Sequence, residues 1–300
     1  MKNHLVRLLP VATLALASVL FPAAASARKK PHLTVTSVKA APNEQKPLHS
    51  FWNGSAFQLI ATIKNKGDAA SKDGQGALKV ARPGNRFFTE SDFDLAGIKP
   101  GKQKSVALGT FGRVLSDEGL GPRIPQVCVP VSGRGGGTSC RAGPRFAVIP
   151  RRWSGSIDST TDADVYNDDA IYEITFRYDS GKSAQTRFFH YRVASGKASL
   201  AVSGLDARGC SWSGGLETSP DQLSSLDFSP AMKRYGLTIH PKKANYEVTI
   251  NCGKGGTTHE DHTFVGPGLA SHPIDLQETT WKGSDNDPFQ KLSWELDARA

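Results

Sequence analysis

The chain has 300 residues, with 30 glycines, 18 prolines and a formal net charge of +9. Its hydrophobic content of 38% is sufficient for a packed core, which excludes general disorder, and long stretches with helical periodicity are missing. Frequent turn residues between short runs of aromatic and β-branched residues are typical of an all-β protein, and we predict two β-sandwich domains.

The N-terminus has the three-part layout of a secretory signal peptide. Two basic residues precede the apolar run from Leu8 to Phe21, and Ala25-Ser26-Ala27 matches the small-residue pattern before a cleavage site. The apolar run is shorter than the roughly 20 residues that a membrane-spanning helix needs. We therefore predict a signal peptide at residues 1–27 and a mature chain that is secreted or extracytoplasmic, not membrane-spanning, with association at the cell surface left open.

Charge is unevenly divided along the mature chain. Residues 28–155 contain 21 Lys and Arg against eight Asp and Glu, whereas residues 156–300 contain 14 against 20. This asymmetry favours two domains. A basic half in an exported protein predicts an anionic cell-envelope polymer or a surface protein as the partner, and not nucleic acid inside the cell.

The first half contains short strand patterns separated by turn signals. Between Ala56 and Lys64, apolar residues alternate with mostly polar ones, which predicts a half-buried strand. Pro100-Gly101 predicts a turn before the next strand. The strands predicted for this half are 32–39, 56–64, 77–81, 105–108, 127–131 and 146–149.

Three of these segments, PHLTVTSVKAAP, FQLIATIKNKGDAAS and IKPGKQKSVAL, resemble the CARDB module, the cell-adhesion-related domain of bacteria. The residues that match its opening strand, its Asn-x-Gly turn and its Pro-Gly turn are Pro31, Leu33, Val35, Asn65, Gly67, Pro100 and Gly101, whereas His32 replaces the family's usual acid. The resemblance covers roughly residues 31–150. It implies an immunoglobulin-like sandwich at residues 28–155, with Cys128 and Cys140 at the base of a hairpin, and a surface or adhesion-associated role.

Basic residues surround this predicted hairpin. The loop SGRGGGTS lies between the two cysteines, where the CARDB family usually has an acidic, Asn-rich stretch. A guanidinium group can bind phosphate or carboxylate through two hydrogen bonds. We therefore predict ligand contacts at five arginines, with a solvated loop that binds nothing as the alternative. These residues are Arg134, Arg141, Arg145, Arg151 and Arg152.

Residues 156–169 are polar and dense in Asp, which predicts an acidic linker between the two domains. Asp162 and Asp164 have the alternate spacing of calcium ligands, but the glycine that a calcium loop requires does not follow before Asp168. We predict no cofactor for this chain, with calcium at these two carboxylates as the alternative.

The second half, residues 170–300, shows clear strand alternation. Tyr172, Ile174, Phe176 and Tyr178 share one face of a predicted strand. The segments 186–193, 246–252 and 292–298 are predicted strands as well. This half is predicted to be a second β-sandwich.

The chain has four cysteines, and an even number in an exported protein predicts disulfides. Proximity in sequence and the division into domains favour Cys128–Cys140 and Cys210–Cys252 over the two other pairings. The spacings match no zinc site.

His259-Glu260-Asp261-His262 is the segment closest to an enzyme motif, because histidines and carboxylates can bind zinc or copper. It is not HExxH, and the glycines before it predict a solvated loop, so His259 and His262 are only secondary metal candidates. The nucleophile motif GxSxG does not occur.

These patterns predict a non-catalytic binding or adhesion module that contacts anionic envelope polymers through its basic N-terminal domain. One alternative is a secreted hydrolase or metal-dependent enzyme, with its site in residues 156–300. The other is a carbohydrate-binding module, which would need exposed stacking residues among Trp52, Trp153 and Trp281.

Overall fold

The computed structural model describes residues 30–44, 48–52, 58–72, 74–82, 84, 86–95, 97–109, 119–131, 136–163, 166–183, 188–205, 208–229, 232–273, 279–286 and 290–299. The predicted signal peptide, Arg134 and Asp164 lie outside these residues. The described part is built of sheets in which nearly all strand pairs are antiparallel, with a single short helix, and this confirms the predicted all-β sandwich class.

The first half forms two sheets. A three-stranded sheet has the order β1-β3-β6, and a six-stranded sheet has the order β2-β9-β7-β4-β5, with β8 paired to β7. The strands are β1 (Leu33–Ala40), β2 (His49–Phe51), β3 (Gln58–Asn65), β4 (Gln75–Ala81), β5 (Phe88–Asp94), β6 (Gln103–Gly109), β7 (Gly121–Val131), β8 (Gly137–Ala142) and β9 (Phe146–Ile149).

The core of this half lies between the two sheets. Strand β3 alternates as predicted, since Leu59, Ala61 and Ile63 are fully buried and the residues between them are more exposed. Leu78 and Val127 of the other sheet belong to the same buried cluster. Side-chain alternation along each strand therefore supplies one apolar face per sheet, and the two faces pack together.

The Asn-x-Gly motif has a structural role at the end of β3. The side chain of Asn65 is fully buried, accepts hydrogen bonds from the backbone N–H groups of His32 and Gly67, and donates to the carbonyl oxygens of Ala69 and Ile98. A Cβ atom at Gly67 would lie 2.2 Å from the backbone oxygen of Lys30. The motif therefore joins the start of β1 to two loops, because only glycine permits this close approach.

The second half is one 11-stranded sheet with the order β17-β16-β13-β12-β11-β10-β20-β19, from which β14, β15 and β18 branch at β12. The elements are β10 (Arg152–Ala163), β11 (Tyr166–Tyr178), α1 (Ser180–Ser183), β12 (Phe189–Leu205), β13 (Ser211–Thr218), β14 (Ser225–Ser229), β15 (Arg234–Thr238), β16 (Asn245–Asn251), a 3₁₀ turn (Gly253–Gly255), β17 (Thr257–Thr263), β18 (Gly268–Pro273), β19 (Thr280–Asn286) and β20 (Gln290–Arg299).

This long sheet folds back on itself around aromatic side chains. The first part of β12 pairs with β14, whereas its later part pairs with β13. The ring of Trp153 on β10 lies 5.5 Å from that of Tyr235 on β15, and Tyr235 stacks on Trp281 of β19. The branch at β12 therefore creates a second layer that covers the aromatic face of the first.

The prediction of an acidic linker at residues 156–169 is wrong. These residues form most of the hairpin between β10 and β11, and β10 also pairs with β20 along its length. Trp153 and Ile157 are fully buried on the inner face of β10. Asp158 and Asp169 are exposed on the outward face of the hairpin, so the polar composition marks one exposed face and not a linker.

The two halves are in direct contact. Only Pro150 and Arg151 separate β9 from β10, and the buried hydroxyl of Tyr191 donates a 2.9 Å hydrogen bond to the carbonyl oxygen of Pro150. The buried residues of both halves form one continuous cluster. The junction is therefore a packed part of the molecule.

Both predicted disulfides are present. Cys128 and Cys140 occupy opposite positions on β7 and β8. Cys210 and Cys252 join the residue before β13 to the residue after β16. Paired cysteines of this kind are typical of an oxidising, extracytoplasmic compartment.

Candidate functional site

Four arginines occupy directly opposite positions on four neighbouring strands. Arg192 of β12 pairs with Arg177 of β11, Arg177 pairs with Arg152 of β10, and Arg152 pairs with Arg299 of β20. Opposite residues of antiparallel strands point to the same face, and neighbouring strands lie about 4.8 Å apart. The four exposed side chains therefore form a straight line of about 14 Å, which we name the arginine row.

The arginine row carries positive charge that acidic side chains do not balance. Arg299 has an acidic partner, since its Nη2 lies 3.0 Å from Oδ2 of Asp297. Among the described residues, no carboxylate forms an ion pair with Arg152, Arg177 or Arg192. Like charges at directly opposite positions destabilise a sheet. A bound anion would relieve this repulsion.

A cleft of about 390 Å³ opens beside the arginine row at the junction of the two halves. The side chains of Arg152 and Arg177 form part of its wall. The guanidinium carbon of Arg151 lies 4.7 Å from the ring centre of Phe51, in cation–π geometry. The residues that line the cleft are His49, Phe51, Arg151, Arg152, Arg177, Tyr178 and Ser180.

Strand β2 brings the first half to this cleft. It pairs in parallel with β9, and the backbone N–H of Trp52 donates to the carbonyl oxygen of Ile149 just beyond. The rings of His49 and Phe51 then lie 4.8 Å and 5.4 Å from that of Tyr178 on β11. The aromatic wall of the cleft is therefore built from both halves.

The last residue of β11, Tyr178, and the first residue of α1, Ser180, supply the hydroxyl groups of the cleft. Oδ1 of Asp179 accepts hydrogen bonds from the backbone N–H groups of Gly181 and Lys182, which holds Ser180 in the first turn of α1. Burial raises the pKa of Tyr178, a hydrogen bond with Ser183 opposes the rise, and the Asp179 carboxylate adds to it. The Tyr178 hydroxyl therefore keeps its proton at neutral pH and can donate a hydrogen bond.

The structure brings together only part of the predicted arginine cluster. Arg151 and Arg152 both line the cleft. Arg141 of β8 lies opposite Val127 of β7, and Arg145 is exposed between β8 and β9. Neither of these two arginines lines the cleft. Sequence reasoning missed Arg177, Arg192 and Arg299, because only the pairing register places them beside Arg152.

The two histidines considered as metal ligands lie on strand β17, so the prediction of a solvated loop is wrong. Their side chains point to opposite faces of this strand. Nδ1 of His259 lies 2.9 Å from Oε1 of Glu247, and Nε2 of His262 lies 3.7 Å from Oε2 of Glu260. Within the described ranges, no three His, Cys, Asp or Glu side chains are placed to hold a metal ion.

The carboxylates considered as calcium ligands are spread along the hairpin. Asp162 lies near the end of β10, opposite Asn167, and Asp164 is outside the described residues. Oδ1 of Asp168 accepts a hydrogen bond from the backbone N–H of Thr161. This carboxylate therefore has a role within the hairpin itself.

Two of the three tryptophans considered for carbohydrate stacking are in the core. Trp153 is fully buried and Trp281 is 2% exposed, whereas Trp52 is half-buried. Neither buried ring can stack on an external sugar, so a strip of these three residues is not available for carbohydrate binding.

Comparison with family models, curated proteins and solved structures finds no match to this chain. The resemblance to CARDB stays a prediction. In the described residues, none of the helical segments is long and apolar enough to cross a membrane.

Proposed function

We propose that this chain is an exported, non-catalytic binding module that holds an anionic polymer of the cell envelope along the arginine row. The signal-peptide pattern and the two disulfides support a location outside the cytoplasm, and the CARDB resemblance supports a surface-associated role. The observation that carries the proposal is the alignment of Arg192, Arg177 and Arg152, none of which has an acidic partner within the described residues.

A linear polyanion suits this geometry. Arginine groups repeated at the spacing of strands present a line of charge, and a polymer with one anionic group per unit can contact several of them together. Each contact releases counterions, so the affinity should fall steeply as salt rises. The site therefore differs from a basic surface in general. Its charges lie on one line at the spacing of neighbouring strands, so a single polymer chain can contact several of them.

The experiment compares two double variants of the mature protein that lose the same charge. Arg152→Gln with Arg177→Gln removes the centre of the arginine row. Lys102→Gln with Lys104→Gln removes two exposed lysines at the start of β6, in the basic half. Binding of polyphosphate and polygalacturonate is measured by calorimetry at low and high salt, with neutral dextran as a further control.

We expect the arginine double variant to bind at least about tenfold more weakly, since each charge-assisted contact contributes about 1.5–3 kcal/mol. The lysine double variant should bind almost as well as the parent. The arginine double variant should also melt at the same temperature or higher, because it removes like-charge repulsion. Equal losses in both variants, or binding that salt does not weaken, would contradict the proposal.

A further inference from the structure

We propose that the cleft beside the arginine row binds a phosphate monoester, the terminal phosphate of the polymer or a free sugar phosphate. This inference rests on the proposed function and names the ligand of the same site. It follows from the number of hydrogen-bond donors in the cleft, from the way they are held, and from its size.

The donors in the cleft exceed what a carboxylate can accept. A carboxylate has two oxygens, and one guanidinium group can satisfy both with two parallel hydrogen bonds. Here three arginines, Arg151, Arg152 and Arg177, line one small space together with the hydroxyls of Tyr178 and Ser180. A phosphate monoester offers three terminal oxygens and a charge close to −2, which matches several guanidinium groups.

The charge of the cleft is not compensated by its own wall. Among the described residues, no Asp or Glu lines the cleft, and the nearest carboxylate in sequence, Asp179, accepts hydrogen bonds from its own turn. Arg151, Arg152 and Arg177 form no ion pair in the part of the chain that the structure describes. An anion of high charge density is the ligand that these groups lack.

The aromatic wall holds the cleft in shape and accommodates the rest of the ligand. Arg151 is seated over Phe51, and Phe51 and His49 are packed on Tyr178, so one charged donor is positioned before a ligand arrives. Apolar walls also lower the local dielectric constant and strengthen charge-assisted hydrogen bonds. The volume of about 390 Å³ is at the small end of ligand pockets and fits one phosphorylated sugar unit.

The test uses two probes with the same sugar ring and different anionic groups at position 6, glucose 6-phosphate and glucuronate, with inorganic phosphate as a third. Calorimetry on the mature protein should show glucose 6-phosphate binding at least about tenfold more tightly than glucuronate, because additional charge-assisted hydrogen bonds form. If inorganic phosphate binds and glucose 6-phosphate does not, the site is one for free phosphate, and the part of the proposal that concerns an ester is overturned.

Two matched variants separate the cleft from the arginine row. Arg151→Gln changes the cleft but not the row, and should weaken glucose 6-phosphate binding by about tenfold while polyphosphate binding along the row falls much less. Arg192→Gln changes the row at a position that does not line the cleft, and should do the reverse. Phe51→Leu, which removes the ring under Arg151, replaces Arg151→Gln if that variant does not fold.

Equal affinity for the phosphate and carboxylate probes would overturn the inference and leave the proposed function standing. Binding of the polymers with no binding of either small probe would do the same. If neither polymers nor small anions bind, both the inference and the proposed function fail.

Discussion

The residues before and after Pro150 are both all-β, but they obtain their cores in different ways. The first half packs two separate sheets of short strands around mainly aliphatic side chains, and Phe146 is the one buried aromatic residue among its described residues. The second half folds a single sheet, with strands of up to 17 residues, around aromatic rings. Those buried rings are Trp153, Tyr172, Phe176, Phe189, Tyr191, Phe228, Tyr235, Tyr246, Trp281 and Trp294.

The half with the larger positive net charge is not the half that contains the arginine row. The first half has the large excess of basic residues, yet all four arginines of the row lie after Pro150, on strands of the second half. An excess of charge spread over a surface is screened within about 10 Å at ordinary salt. Collinear charges at strand spacing act together, so register determines the candidate site more than composition does.

The largest losses of stability should appear when the core of either half is truncated. We expect Trp153→Ala to lower the free energy of unfolding by about 3–5 kcal/mol, because it leaves a large cavity next to Tyr235. Ile63→Ala in the first half should cost about 2–5 kcal/mol. Urea unfolding followed by circular dichroism measures both, and a loss below about 1 kcal/mol for Trp153→Ala would show that its ring is not buried in solution.

The two disulfides, one in each half, should differ in how much they stabilise the protein, because they close loops of different length. Cys210 and Cys252 are separated by 42 residues, whereas Cys128 and Cys140 are separated by 12. In the chain-entropy model, replacing Cys210 and Cys252 with serine should lower the free energy of unfolding by about 4 kcal/mol. Replacing Cys128 and Cys140 should lower it by about 3 kcal/mol. Thermal and urea unfolding of the two double variants give the order, and a reversed order would point to strain or residual structure in place of loop closure.

Alkaline pH should destabilise the second half specifically, because all six tyrosines of the chain lie there. Burial raises the pKa values of Tyr172, Tyr191 and Tyr235. The unfolded value is about 10, so their contribution to stability is complete below about pH 10 and is lost as pH rises further. Each tyrosine should add up to about 1.4 kcal/mol per pH unit to the slope of stability above that pH.

Two variants test this assignment by urea unfolding as a function of pH. Tyr191→Phe and Tyr235→Phe should each reduce the alkaline slope. At neutral pH Tyr191→Phe should cost about 1 kcal/mol, since it loses the hydrogen bond to Pro150, whereas Tyr235→Phe should be neutral or stabilising because its hydroxyl has no partner within the described part of the chain. An unchanged slope in both variants would contradict the assignment.

Local patterns predicted much of the fold. The alternation in β3 and β20 places Ile63 and Leu296 in the core, since strand side chains alternate by geometry alone. Both disulfides have the pairing that proximity in sequence and the division into domains favour. The Asn65–Gly67 motif predicts a turn, and the structure adds that it joins β1 to two loops through four hydrogen bonds.

The errors lie where pairing with another strand decides the local conformation. Residues 156–169 look like a linker by composition, but pairing with β20, more than a hundred residues later in the sequence, makes them a central strand and hairpin. His259 and His262 look like loop residues, and β16 makes them part of a strand. Hydrogen bonds between strands compensate for a polar composition that would favour a loop in isolation.

The sequence by itself determined the all-β class, the faces of the strands, the presence of disulfides and the excess of charge, because each depends on neighbours within a few residues or on simple counting. Only the tertiary structure decided that Arg152, Arg177, Arg192 and Arg299 form one row and that a cleft lies beside it. The physical reason is register: shifting a strand by one residue would turn its arginine to the opposite face, and the register is set by core packing across the whole sheet.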